Sequence, residues 1–114
     1  MSSTRATDVP ERLVSQLVKE SPDLGDIVAE FVQGLAPQVG ELKQAFEKLD
    51  WQMLAVLAHR LKGAGGSYGY PDISRLGAEM EHGFRSQDAE NFQAWMTRLN
   101  KLVAAAEAGL AAPA

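Results

Sequence analysis

His59-Arg60-Leu61-Lys62-Gly63-Ala64-Gly65-Gly66-Ser67-Tyr68-Gly69 puts three glycines, at 63, 65 and 66, inside a segment whose apolar spacing is helical. Each glycine in a helix interior costs about 1 kcal/mol relative to alanine, so the three together cost roughly 2–3 kcal/mol. Something must offset that, and the positions around the helix suggest what. At about 100° per residue, with Leu54 as zero, the stripe Leu54, Leu57, Ala58, Leu61, Ala64 and Gly65 centres near about 340°, whereas His59 falls near about 140°. His59 therefore points away from the core. Gln52, Ala55, Lys62, Gly63 and Gly66 share its outward face, and Ala55 and Gly63, one turn to either side, leave the imidazole clear of large neighbours. Gly65 lies on the inward stripe, where a missing side chain lets two helices approach closely.

Working outward, the signature helix is expected over about 51–68, with Asp50 as its N-cap. Upstream, Val39, Leu42, Phe46 and Leu49 form one apolar face, and Pro37 forces a break or kink before it. Ser21-Pro22-Asp23 is a start signal for a helix carrying Leu24, Ile27, Val28, Phe31, Val32 and Leu35. A short N-terminal helix is predicted through Val9, Leu13, Val14, Leu17 and Val18, with Pro10 in its first turn. Downstream, Gly69-Tyr70-Pro71-Asp72 is turn chemistry, and Ile73, Leu76, Met80 and Phe84 keep a helical stripe. Ser86 or Asp88 caps a final helix through Phe92, Trp95, Leu99, Leu102, Val103 and Ala106, which fades into a tail over about 109–114 that is expected to fray.

Short connections between long helices put neighbours antiparallel. The fold expected is all-α: an antiparallel up-down four-helix bundle over about 36–110, with one or two additional short N-terminal helices, in a single domain spanning 1–114. The tryptophans, Phe31, Phe84 and the methionines read as core filling, and Tyr68 and Tyr70 as packing and turn residues.

Bulk properties narrow the function. The 114 residues suit one hydrophobic core, and 46% hydrophobic with 23% charged residues is an ordinary globular balance. A net charge of −4 argues against nucleic acid, which needs a basic stripe. With no cysteine, thiolate and disulfide chemistry are excluded and any metal would fall to His and carboxylates. No apolar run is long enough for a membrane span and no signal-peptide pattern opens the chain, so a cytoplasmic location is expected.

An exposed imidazole suits a nucleophile that another macromolecule must reach. Free imidazole titrates near pH 6.5, so at neutral pH a ring nitrogen can attack phosphorus without an added base. Phosphohistidine adds negative charge, which Lys62, one turn away, would favour, while Gly63 leaves space for the phosphoryl group and the partner's loops.

His59-x-Leu61-Lys62-Gly63 with Gly69 six residues on, Ala58 before the histidine, and Leu76-x-x-x-Met80-Glu81-x-x-x-Arg85 on the next helix resemble the signature of histidine phosphotransfer (HPt) domains of bacterial multistep phosphorelays. The likeness spans about Leu24 to Leu110. It implies a four-helix bundle whose histidine takes phosphate from an aspartyl phosphate on a receiver domain and gives it to another receiver Asp. It also implies a phosphoryl carrier rather than an enzyme, with no cofactor of its own: the receiver supplies the acidic pocket, lysine and Mg²⁺. Partners would be response-regulator receiver domains or a hybrid sensor histidine kinase. By position, Glu81 would hydrogen-bond the other ring nitrogen of His59, and Arg85 would help hold the phosphoryl charge; a simple intrahelical Glu81–Arg85 pair is the competing reading. Gln52, Ala55, Val56, Gly63 and Gly66 are the expected docking patch, with the N-terminal helix beside it.

Other classes stay open from sequence. A bundle could bind receivers without transfer, or serve as the phosphoacceptor domain of a chemotaxis-type histidine kinase that takes phosphate from ATP through a kinase domain. A metal carrier using His59 and His82 is a third reading, opposed by their different helices; His82 is expected to face solvent, and no metal site is expected. A monomer is the expected state.

Overall fold

The structure, a computed structural model, describes residues 9–111, and these fold into helices without a strand. In chain order they are α1 (Gln16–Glu20), a 3₁₀ turn (Pro22–Leu24), α2 (Gly25–Gln33), α3 (Leu35–Glu47), α4 (Trp51–Ser67), α5 (Pro71–Arg85) and α6 (Phe92–Ala111). α3 packs on α4, α4 on α5, α5 on α6 and α6 back on α3, which closes an antiparallel four-helix ring. α2 continues the α3 column and also leans on α6.

The interruption between α2 and α3 falls at Gly34, three residues upstream of Pro37. Pro37 has no N–H for the carbonyl of Gln33 and its ring crowds that carbonyl, so the helix yields one turn before the proline. The Gly34 N–H bridges the gap by donating to both Glu30 and Phe31 carbonyls at 3.1 Å. Pro37 itself is accommodated in the first turn of α3.

Val28, Val32, Leu35, Leu42, Leu54, Leu61, Ile73, Leu76, Met80, Phe84, Leu99 and Leu102 are all but inaccessible and form the core. Phe46 stacks on Phe92 and meets Trp51 edge-on, while Phe84 meets Trp95 edge-on, filling one end of the bundle with aromatic rings. The Trp95 indole N–H donates to Glu79 at 3.0 Å, satisfying the polar handle of a buried ring. At the other end Phe31 stacks on Tyr68 beside the buried Tyr70. Met53 departs from the core-filling expectation: it is exposed on α4.

Several expectations are corrected. The predicted helix from Pro10 begins only at Gln16, because Ser15 is the cap: its hydroxyl accepts from Val18 N–H at 3.2 Å. Residues 9–14 instead run as a strap whose Leu13 N–H donates to the Ala105 carbonyl of α6 at 2.9 Å. Gln16 N–H then donates to the Gly69 carbonyl at 2.9 Å, and the Ser15 hydroxyl to the Tyr68 carbonyl at 2.6 Å. The strap thus lies on α6 and leads through Ser15 and Gln16 to the C-terminal end of α4, not beside Gln52, Ala55 and Val56 at its N-terminal half. Gly69 has φ +86°, and a Cβ there would stand 2.6 Å from the Ser15 hydroxyl, so glycine is required by both backbone and space. Ile27 and Val14, assigned to apolar stripes, are exposed. α6 is helical through Ala111; the remainder of the expected tail, 112–114, and Met1 lie outside the described residues.

Leu49 does not join the α3 face either. α3 closes in a Schellman motif, with Asp50 N–H donating to the Ala45 carbonyl and Leu49 N–H to that of Phe46, both at 2.9 Å. That geometry forces Leu49 to φ +53°, a left-handed conformation costing a leucine about 1 kcal/mol where glycine would pay nothing. Asp50 then caps α4 as expected, accepting from Met53 N–H at 3.1 Å.

Candidate functional site

His59 sits midway along α4 on the face turned from the core, with 64% of its side chain exposed. Gly63, one turn on, has open space where a side chain would project. Its other neighbour, Ala55, corrects the sequence reading: it is buried, turned toward the C-terminal end of α5, and forms the floor of a shallow groove of about 400 Å³ with Trp51, Gln52, Val56, Phe84, Arg85 and Gln87. Gln52, Val56 and Gly66 are exposed.

α5 supplies the rest of the site, and its distance from α4 is set by glycines. A Cβ on Gly65 would lie 2.8 Å from Ser74 N, and one on Gly77 2.7 Å from Lys62 N, so each helix presses its backbone against a bare position on the other. The Ser74 hydroxyl donates to the Lys62 carbonyl at 2.8 Å, fixing the register of the two helices at the turn after His59. Gly65 was legible in sequence as an inward glycine; Gly77 and Ser74 were not singled out, although an interior glycine on the strongly amphipathic α5 carried the same signal.

Held at this spacing, Glu81 reaches across to His59. Its carboxylate accepts from Nδ1–H of the imidazole, with Oε2 at 3.1 Å and Oε1 at 3.3 Å. Arg85 Nη2 donates to the same Oε2 at 2.7 Å, and Lys62 Nζ stands 3.6 Å from Oε1. Both sequence alternatives therefore coexist: Glu81 makes the intrahelical pair with Arg85 and the interhelical bond to His59. Glu81 is one of two buried polar residues among the described residues, and Arg85 chiefly, with smaller help from His59 and Lys62 and against the opposing effect of desolvation, holds its carboxyl below the usual range. An ionised Glu81 accepts only, so it selects the neutral-ring tautomer in which Nδ1 carries the proton and Nε2 the lone pair. Among the described residues Nε2 meets no hydrogen-bond partner. The arrangement is a ring nitrogen open to solvent, backed by a carboxylate and flanked by two cations.

His82 is exposed on α5. No three or more His, Asp or Glu side chains converge into a metal-holding group among the described residues, and no helix there is long and apolar enough to cross a membrane.

A helical ring with one outward histidine tied to the neighbouring helix defines a class of phosphocarrier module. The Hpt domain family model matches residues 26–109, most of the chain, and the chain belongs to that family. Family membership makes it a histidine phosphotransfer module of phosphorelays, a carrier rather than a catalyst, that works with receiver domains and kinases. No curated protein and no solved structure matches the chain significantly.

Proposed function

We propose that His59 is the phosphoacceptor, taking a phosphoryl group from the aspartyl phosphate of one receiver domain and passing it to the Asp of another. The observation that carries this reading is the division of labour on one imidazole: Nδ1 is bound by Glu81 and Nε2 is open to a partner. The Nε2 lone pair forms the N–P bond as the acyl-phosphate O–P bond breaks, and that bonding pair leaves with the receiver carboxylate. The Nδ1 proton stays in place, shared with Glu81, whose negative charge offsets the positive charge that develops on the ring. Donation to the next Asp is the same step reversed.

Lys62, 3.6 Å from the Glu81 carboxylate, and Arg85 give the site a surplus of positive charge that suits a phosphoryl dianion. Gly63 leaves room for it. Gln52 and Val56, with Ala55 beneath them, and Gly66 toward the other end of α4 present the surface around the nucleophile to the receiver. The Mg²⁺ and the acidic pocket that neutralise the transferring group belong to the receiver, and this chain needs no cofactor of its own. In the test, purified chain is mixed with receiver domains phosphorylated by acetyl phosphate. Label should pass to the wild type and not to His59→Gln, whose helical circular-dichroism signal stays intact; labelled His59→Gln would overturn the assignment.

A further inference from the structure

Three contacts join α4 to α5 in the manner of rungs. Ser74 lies against Gly65 and Gly66, Gly77 against Lys62, and Glu81 against His59. Ser74, Gly77 and Glu81 are spaced at three and four, so they form a single line on the face that α5 turns to α4. On both helices the Gly77–Lys62 rung is one turn from the bond that orients the imidazole, about 6 Å along the α5 axis.

That middle rung has no slack. A Cβ on Gly77 would lie 2.7 Å from Lys62 N and 2.9 Å from Lys62 Cα, and both are backbone atoms that no rotamer change can clear. Restoring ordinary contact at 3.4 Å would move α5 outward by about 0.7 Å at this point. At the neighbouring rung an opening of that size carries Oε2 of Glu81 from 3.1 Å to about 3.8 Å from Nδ1 of His59, past the reach of a hydrogen bond. Glu81 is not free to close the gap, because its carboxylate is buried and Arg85, on its own helix, grips the same oxygen at 2.7 Å. The Ser74 hydroxyl, bonded to the Lys62 carbonyl at 2.8 Å, fixes the other coordinate, the slide of one helix along the other.

We infer that Gly77 and Ser74 are positioning residues for phosphoryl transfer: the bare backbone of the first and the hydroxyl of the second hold Glu81 within bonding distance of His59, and so fix which ring nitrogen is the nucleophile. The consequence for transfer rests on the functional reading above; the consequence for the ring rests on the α4–α5 geometry alone. Residues that only packed the two helices would matter to stability. Residues that act through Glu81 matter to tautomer and rate.

The experiment reads His59 by nitrogen NMR in the unphosphorylated chain, and measures transfer from a receiver phosphorylated with acetyl phosphate against receiver concentration. In Gly77→Ala the Nδ1–H tautomer should lose its dominance and the saturating rate should fall about tenfold at unchanged KM, within the 100-fold or so that a misplacement of about 1 Å costs. Ser74→Ala should move both readouts in the same direction by a smaller factor. Gly77→Ala combined with Glu81→Ala should be no slower than Glu81→Ala alone, because both act through one bond. Ser15→Ala, which destabilises the domain away from this helix pair, should keep the wild-type tautomer ratio and rate, so lost stability is not what is read. A wild-type tautomer ratio in folded Gly77→Ala overturns the inference, as do multiplied losses in the double variant or a raised KM at an unchanged saturating rate. If Gly77→Ala does not fold, a wild-type tautomer ratio in Ser74→Ala overturns it. A wild-type chain that takes no label from any receiver overturns the functional reading, and the tautomer ratios still decide the inference.

Discussion

Glu81 on α5 holds His59 on α4 through a 3.1 Å contact between Oε2 and Nδ1, and this bond joins a buried carboxylate to a largely exposed ring. The exposed partner gains a fixed tautomer and orientation from the buried one. Arg85, 2.7 Å from the same oxygen, keeps the carboxylate ionised and turned toward the ring.

Removing that carboxylate should slow transfer without unfolding the domain. Glu81→Ala is expected to lower the phosphotransfer rate about 10- to 100-fold, by analogy with the loss of the carboxylate that orients a metal-ligating histidine. Nitrogen NMR of His59 should show the Nδ1–H tautomer losing its dominance. A wild-type rate and tautomer ratio in Glu81→Ala would show that the contact has no functional consequence.

Acid should act through the same group. Because the folded-state pKa of Glu81 lies below its unfolded value, its ionisation stabilises the fold above the ordinary carboxylate range. That contribution is lost as pH falls through the folded-state value. Thermal melts from pH 7 to about pH 3 should therefore show a steeper loss in the wild type than in Glu81→Gln; parallel curves would contradict the role given to Arg85.

The glycines of the α4–α5 pair predict opposite signs for one kind of substitution. Gly63→Ala meets open space and should raise stability by about 0.5–1 kcal/mol, the helix-propensity gain. Gly77→Ala drives a methyl against the Lys62 backbone and should lower stability by about 1–3 kcal/mol. Denaturant titration separates them. A bulky Gly63→Gln should slow transfer with little change in fold, and a wild-type rate in that variant would remove the reason given for the glycine.

Much of this was legible in the sequence because the apolar period of α4, α5 and α6 is strong and the anomalous glycines sit beside the histidine. The outward placement of His59 followed from a residue angle alone. Ala55 was misplaced by the same method, since a residue angle gives direction but not which neighbouring helix end covers it. The N-terminal strap is unreadable for a different reason: Val9 and Leu13, spaced at four, satisfy a helix and equally an extended segment laid on α6. Leu49 looked like a face residue because nothing in its own identity signals a left-handed turn, a place glycine usually marks.

The strap, which lies outside the residues matched by the family model, should still support the fold. Ser15→Ala removes both the α1 cap and the bond to the Tyr68 carbonyl, and should lower stability by about 1–2 kcal/mol with the transfer rate unchanged. An unchanged unfolding midpoint would show that the strap is dispensable.

The most direct measurement is to phosphorylate the isotopically labelled chain from a receiver aspartyl phosphate and identify the phosphorus-bearing atom by nitrogen–phosphorus NMR. Coupling of phosphorus to Nε2 of His59, with Nδ1 still protonated against Glu81, is the predicted result. Phosphorus on Nδ1, or on any residue other than His59, would contradict it.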